Sequence, residues 1–353
     1  MARTASFSVG KSAETGSEDA AAALQHLICG KMFTSALYAA ADLGIADLLR
    51  EGPRGVADLA DTCRADKRSL ERLMRLLVAL EVFEEVSPAV YRLAAAGQYL
   101  RSDVKGSLRA TALVGGSPWM WLPWGELLFS VCTGEAGFDR AFGQGLLPYL
   151  KEHPEEGEAF NEFMGVVTRD NADSVVAAYD FAGIRNLVDV GGGRGILISA
   201  ILAANPDMNG TLFDQPQVVG QATDEMRRAG LAHRCDVVGG DFFEAVPGDG
   251  DGYFLSHVLH DWDDERCLMI LRSIRTQIGE QGRLLVLESV VPEMRVPLQV
   301  ALIDLGMAVM SEGGYERTEA EYRALFSKAD FELERVIPTS SRQNVSVLEV
   351  RPV

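Results

Sequence analysis

Residues 187 to 195 read Leu-Val-Asp-Val-Gly-Gly-Gly-Arg-Gly, and nineteen positions beyond Gly195 stands Asp214, closing Thr211-Leu-Phe-Asp. An apolar strand, a glycine-packed turn, a helix and an acidic residue ending a second strand make the nucleotide-cradling half of a Rossmann-type sheet. The glycine spacing narrows the ligand. A dinucleotide pattern places its third glycine where Ile196 sits, whereas this chain reads Gly191-x-Gly193-x-Gly195. The spacing points away from NAD and toward a single nucleoside without a pyrophosphate, its ribose hydroxyls held by Asp214.

A chain of 353 residues suggests two domains, or one domain with a large appendage, and 47% hydrophobic residues are ample for a packed core. The formal net charge of −18 disfavours nucleic acid and anionic membrane surfaces as partners, since both are bound through clustered Lys and Arg. Residues 1–19 are rich in Ser, Ala, Gly and Thr and lack an apolar stretch, so they read as a disordered tail, neither signal peptide nor anchor. No run approaches the roughly 18 apolar residues that a membrane span requires. The five cysteines, Cys29, Cys63, Cys132, Cys235 and Cys267, contain no CxxC pair and are odd in number. Buried thiols in a reducing cytoplasm are the plain reading.

Along the chain, Ala20 to Leu49 places Leu24, Leu27, Ile28, Ala36, Leu37, Ala40 and Leu43 at helical spacing, which predicts one or two helices before Gly52-Pro53. Residues 56–60 and 67–80 form a helix-turn-helix pattern, with Ser69 ahead of Leu70, Leu73, Leu76, Leu77 and Leu80. Residues 82–86 and 90–93 then read as a hairpin. This winged-helix shape, over 20–105, carries Lys67, Arg68, Arg72 and Arg75 on its second helix, as a DNA reader would. The acidic chain and the nucleoside module that follows favour a protein-contact role instead. Residues 106–180 are expected to be a helical linker and substrate-pocket region. It is interrupted by Gly115-Gly116 and by Pro118-Trp-Met-Trp-Leu-Pro-Trp124, whose Trp119, Trp121 and Trp124 make either a packed corner or a wall for a flat apolar substrate. Phe160, Phe163, Met164 and Val167 make an i, i+3, i+4, i+7 stripe that serves as core, as pocket, or as both.

From residue 181 to 353 strands alternate with helices, at 187–190, 209–213, 235–239, 252–256, 282–288, 331–337 and 345–350. The pattern predicts an α/β domain with a mostly parallel sheet, ligands at the strands' carboxyl ends, and an antiparallel hairpin at the edge. Residues at those ends are the candidates for chemistry. The amides of Gly191 to Gly195, Gly193 included, would meet a carboxylate such as the amino-acid end of S-adenosylmethionine. Asp241, in Gly240-Asp-Phe-Phe, would bind an adenine amino group, cap a helix, or do both, and Phe242 would pack on the base. His260, after the strand ending near Ser256, sits where an imidazole would take a proton near neutral pH. His257 receives no role, and no third His or Cys is spaced for a metal, so none is expected. Glu288 and Glu316 would stabilise the imidazolium and fix its tautomer, although an exposed loop charge or helix-start carboxylate accounts equally for Glu316.

Asp-Val-Gly-Gly-Gly-Arg-Gly, Gly-Asp-Phe-Phe, His-Asp-Trp-Asp-Asp and Gly-Gly-Tyr-Glu-Arg-Thr occur here in that order. Together they resemble the small-molecule O-methyltransferases, of plant caffeate and flavonoid type and of bacterial antibiotic and polyketide tailoring, over about 24–350. The resemblance implies a homodimer joined through the winged-helix part and S-adenosylmethionine as cofactor, leaving as S-adenosylhomocysteine. It implies His260 as general base between Glu288 and Glu316, and Gly191, Asp214, Asp241 and Phe242 at the cofactor. Phe160 and Met164, with Trp119, would line the acceptor pocket. Many members carry a lysine near the cofactor where this chain has Ser256, which weakens the case for contact there. The implied reaction is methylation of a phenolic hydroxyl on an aromatic small molecule in bacterial natural-product biosynthesis. The alternatives are a cofactor-sensing winged-helix regulator, or a relative diverted to hydroxylation or decarboxylation. The latter are altered at the histidine that this chain keeps.

Overall fold

The structure, a computed structural model, describes residues 17–353. Ser17 to Asp19, expected in a disordered tail, instead open the helix Ser17–Ile28, and the rest of that expectation lies outside the described residues. The chain divides into two compact units, one reaching Gly116 and the other Ser117–Val353. The expected boundary near 105 therefore moves: the helix Arg109–Gly116 joins the first unit, and the remainder of 106–180 joins the second.

In the first unit, three helices, Ser17–Ile28, Gly30–Asp42 and Ile45–Leu48, fill the stretch read as one or two. Strand β1 (Arg54–Gly55) precedes the helices Val56–Cys63 and Lys67–Ala79; β2 (Phe83–Ser87) and β3 (Val90–Leu93) follow. These strands form a small antiparallel sheet in the order β1-β3-β2. The helix Lys67–Ala79 is capped by Asp66, whose carboxylate accepts the Ser69 N–H at 2.8 Å. Leu70, Met74 and Leu77 recur every three to four residues and are buried in the unit's core.

The second unit is built on β4 (Asn186–Val190), β5 (Asn209–Asp214), β6 (Cys235–Gly239), β7 (Gly252–Ser256), β8 (Arg283–Val291), β9 (Arg317–Thr318), β10 (Phe331–Pro338) and β11 (Val345–Pro352). The order is β10-β11-β8-β7-β4-β5-β6, with β9 on β8. Pairings from β6 through β8 are parallel, and β10 and β11 close the edge as the expected antiparallel hairpin. Alternation along each strand fills both faces. Val188, Val190, Phe213, Tyr253, Leu255, Leu284 and Val286 pack with the helices Asp264–Arg275 and Glu319–Ser327. Leu187, Leu212, Phe254, Leu285 and Leu287 pack with Ile196–Ala204, Pro216–Arg228 and the end of Pro154–Ala178. Burial on both sides explains why these strands read as continuous apolar runs, each such side chain contributing ~1.5–3 kcal/mol.

The tryptophan-rich segment is a helix, Pro118–Gly125, rather than an interruption. Pro118 occupies its first position, where a missing N–H costs nothing. Residues 298–310, unassigned from the sequence, form the helix Leu298–Met310.

Candidate active site

The connections leave β4 toward β5 on one side and leave β7 toward β8 on the other, so the sheet has its switch point between β4 and β7, with Val190 opposite Leu255. Such a point opens a crevice beyond the carboxyl ends of the strands. The glycine turn and the segment 256–261 lie on its two sides.

Gly191, Gly193 and Gly195 take φ of 75, 57 and 78°, a region open to glycine at little cost. A Cβ on Gly191 would stand 2.9 Å from Val258 Cγ2 and 3.9 Å from Phe242 Cε1, whereas nothing lies within 4 Å of one on Gly193. The turn thus keeps one face bare beside an aromatic ring. Phe242 meets Phe243 and Trp262 edge to face, with centroids at 4.8 and 6.3 Å. Asp214 fastens the turn: Oδ2 accepts the Gly193 N–H at 2.7 Å and Oδ1 that of Gln215 at 2.6 Å. Each oxygen retains acceptor capacity. Burial pushes this carboxyl up, against the two amide bonds that draw it down. Asp189 beneath it is 2% exposed, and neither of its carboxylate oxygens has a hydrogen-bond partner among the described residues. Burial first, then the charge of Asp214, pushes Asp189 up to about 7. A bare glycine face, acceptor atoms at a strand end and an unpartnered buried carboxylate fit a nucleoside that also carries donor groups.

Asp241 is exposed, and its Oδ1 accepts the Phe243 N–H at 2.8 Å. A turn follows it, so a helix cap is not its role. Ser256 is half-buried at the end of β7.

Across the crevice the chain leaves β7 through His257, which takes φ 53°, and a single helical turn, Leu259–Asp261. Glu288 shares the face of Leu284 and Val286 by strand alternation and projects beyond the core. Its Oε1 accepts the N–H groups of Val258, Leu259 and His260 at 3.1, 2.9 and 3.3 Å. Its Oε2 lies 3.3 Å from His260 Nδ1. The short parallel pairing of β9 with Val290 and Val291 brings Glu316 to the same place, and Glu316 Oε1 stands 2.8 Å from His260 Nδ1. Glu316 is 4% exposed, so it is no exposed loop charge. Its N–H donates to Asp304 Oδ1 at 3.0 Å.

His260 is buried, and burial alone would lower its pKa. Glu288, Asp261 and Glu316 outweigh that and raise it to about 10. Glu288 is itself pushed up to about 7 by burial, against the His260 cation that draws it down. The direction that governs is the imidazole's: three carboxylates around one ring favour its cation. Nδ1 is taken by carboxylates, so Nε2 is the atom available to another molecule, with Asp261 Oδ1 3.6 Å away. Donor atoms of His257, His260 and Glu288 lie within 4.8 Å of one another, the one such group among the described residues. With Nδ1 of His260 already on Glu316, the arrangement suits a shared proton better than an ion.

Trp119 is buried and meets Phe160 edge to face at 6.4 Å, while Phe160 and Met164 are half-buried on the helix Pro154–Ala178. Sequence reasoning did not single out Arg317, Asp304 or Asn171. Arg317 is wholly buried and donates to the carbonyls of Leu259 and Trp262, at 2.9 Å each, and to Asp264. It clamps the segment that carries His260. Arg317→Met should cost roughly 3 kcal/mol, because two buried carbonyls lose a charged donor. A lower denaturation midpoint at unchanged slope is expected, and an unshifted midpoint would refute the clamp.

Residues 124–332 match the O-methyltransferase domain family, and residues 25–103 match the O-methyltransferase dimerisation domain. The phenazine O-methyltransferase of Lysobacter antibioticus is 41% identical over 330 residues, covering 94% of this chain and 96% of the relative. The mitomycin biosynthesis 6-O-methyltransferase of Streptomyces lavendulae is 38% identical, covering 92% and 93%. An O-methyltransferase from neocarzinostatin biosynthesis, solved with S-adenosylmethionine and 2-hydroxy-5-methyl naphthoic acid, superimposes with TM-score 0.79 at 32% identity, covering 91% of this chain and 96% of that one. The relatives also include N-methyltransferases. Among the described residues no helix is long and apolar enough to cross a membrane. With an O-methyltransferase domain and a dimerisation domain both matched, the chain belongs to the S-adenosylmethionine-dependent O-methyltransferases.

Proposed function

We propose that this enzyme methylates a phenolic hydroxyl of an aromatic small molecule, as a tailoring step in bacterial natural-product biosynthesis, with His260 as general base. The observation that carries the reading is the buried His260, its Nδ1 on Glu316 and Glu288 and its Nε2 left over, across the crevice from the glycine turn. The donor, when bound, supplies a methyl group already electrophilic on a sulfonium sulfur. The residues have to hold the acceptor oxygen in line with that carbon and sulfur, so positioning supplies much of the acceleration. A phenol of pKa ~10 is mostly neutral at pH 7, and an imidazole raised to about 10 exchanges its proton with such a phenol nearly evenly. Glu288 and Glu316 then stabilise the imidazolium. Gly191 and Gly193 leave room for the donor, Asp214 accepts from its ribose, and Asp241 and Phe242 bound the base. Ser256 is a weaker contact. Trp119, Phe160 and Met164 offer apolar surface to a flat acceptor. The dimerisation domain supports a homodimer joined through the first unit, and sedimentation should give twice the chain mass.

Two measurements test this reading. With a methyl-labelled donor and phenolic phenazine, naphthoate and quinone acceptors, the label should appear on oxygen. Label on nitrogen or carbon alone would refute O-methylation of a phenol. Asp214→Ala should raise the donor's Kd on the order of 10²-fold, the loss of about two charge-assisted hydrogen bonds, with little change in acceptor KM. An unchanged donor Kd would remove Asp214 from the site.

A further inference from the structure

His257 is an unusual residue to find where the chain leaves β7. It is one of eight described non-glycine residues with positive φ, a conformation that costs energy in a residue of this kind and persists where the surroundings impose it. Its N–H donates to Leu287 O at 3.1 Å and its side chain is 8% exposed. The ring is held from the far side by the helix Pro154–Ala178, where Asn171, fully buried, places Nδ2 2.9 Å from His257 Nε2. The amide's orientation follows from its other neighbours. Ser341 Oγ accepts the Gln343 N–H at 3.1 Å and donates to Asn171 Oδ1 at 2.5 Å, while Asn171 Nδ2 donates to Gln343 Oε1, an acceptor only, at 3.4 Å. The Asn171 amide nitrogen is left to donate to Nε2, and the imidazole proton belongs on Nδ1. Nδ1 lies 4.0 Å from Glu288 Oε2, the buried oxygen that has no hydrogen-bond partner among the described residues and faces His260.

We infer that His257 is a positioning residue for methyl transfer: Asn171 locks it as the Nδ1–H tautomer, whose N–H dipole favours the ionised form of Glu288 beside His260. This rests on the base role proposed for His260. His257 acts as a dipole and not as a charge, because burial and the neighbouring His260 hold it down to about 3. The charged and titratable groups facing Glu288 and His260 are Glu316, Asp261 and His257, with Tyr322, Cys267 and Arg317 behind them. Without the His257 N–H, burial is less opposed at Oε2, and Glu288, already pushed up to about 7, holds its proton to higher pH. His260 then loses part of what holds its proton, and becomes a weaker base.

The test is the pH dependence of kcat. His257→Gly accepts the backbone geometry and removes the N–H. Its rising limb should move to lower pH by roughly one unit, the scale of one lost polar neighbour, and kcat should fall about tenfold. His257→Asn tolerates positive φ and sets an amide N–H where Nδ1 stood, so its limb should return to that of the parent. Asn171→Leu keeps the ring but frees its tautomer, and its limb should move as in His257→Gly; this variant decides the matter if His257→Gly fails to fold. An unmoved limb in His257→Gly or Asn171→Leu, or an equal shift in His257→Asn, overturns the inference. In long-range proton–nitrogen spectra His257 should show Nδ1–H, and an Nε2–H pattern overturns it as well. Parent-like turnover in His260→Ala would instead sink the underlying base assignment, whereas an inactive His260→Ala with an unmoved His257→Gly limb sinks this inference alone.

Discussion

Replacing His260 by alanine should lower kcat by a factor on the order of 10³, within the range a positioned base supplies, while the donor's Kd stays near that of the parent. The two effects separate because His260 lies across the crevice from the glycine turn and makes no contact with Asp214 or Gly193, which bond each other. The parent's pH dependence follows from the same ring. The reactive complex holds one proton fewer than imidazolium plus phenol. Activity should therefore rise as pH increases toward the value of about 10 to which Glu288, Asp261 and Glu316 raise His260 against its burial. Stability runs the other way for this residue. A proton held more tightly in the folded state than at the ordinary 6.5 stabilises fully below that pH, and the contribution is lost as pH rises through about 10. His257, held down to about 3 by burial and His260, contributes stability above 6.5 that is lost as pH falls toward 3.

Glu288→Gln should lower kcat about 10²-fold and carry the rising limb to lower pH, because Glu288 is the largest of the influences that hold the His260 proton. Glutamine is the informative replacement. Its amide oxygen still accepts from Val258, Leu259 and His260, so the turn keeps its shape. Its nitrogen, however, presents N–H to an Nδ1 that itself needs an acceptor. Alanine would leave three buried amides without a partner at about 1–3 kcal/mol each, and would confuse folding with catalysis. Normal kcat and an unmoved limb in Glu288→Gln would show that Glu316 and Asp261 suffice.

The parts of this site that were legible in the sequence are those whose chemistry is local. The glycine turn, the acidic end of β5 and the strands around them announce themselves because a strand buried on both faces must be apolar and a turn at positive φ wants glycine. His260 was legible from its place after a strand end. The meeting of Glu288 and Glu316 at His260 was implied by the motif resemblance and not by any local pattern, for it depends on the two-residue pairing of β9 with β8, too short to leave one. That pairing also carries β8 to Val291, past the expected end at Glu288. Arg317 and Asn171 left no local signal at all. Each stands among polar neighbours, in Glu-Arg-Thr and Arg-Asp-Asn, as a solvated residue would, yet both are fully buried. Their burial is stabilised by partners 53 to 172 positions away. Pro123 misled in the opposite sense, since a proline among three closely spaced tryptophans suggested a break in what is a continuous helix.

In the proposed mechanism His260 takes the acceptor's proton. A series of phenolic acceptors of graded acidity tests this most directly, with the parent and His260→Ala compared at one pH. The defect should be on the order of 10³-fold for a hydroxyl of pKa ~10 and should shrink toward none for a hydroxyl already ionised at the working pH, because no proton then remains to be removed. A defect of the same size across the whole series would contradict proton removal by His260 and leave it a residue of shape alone.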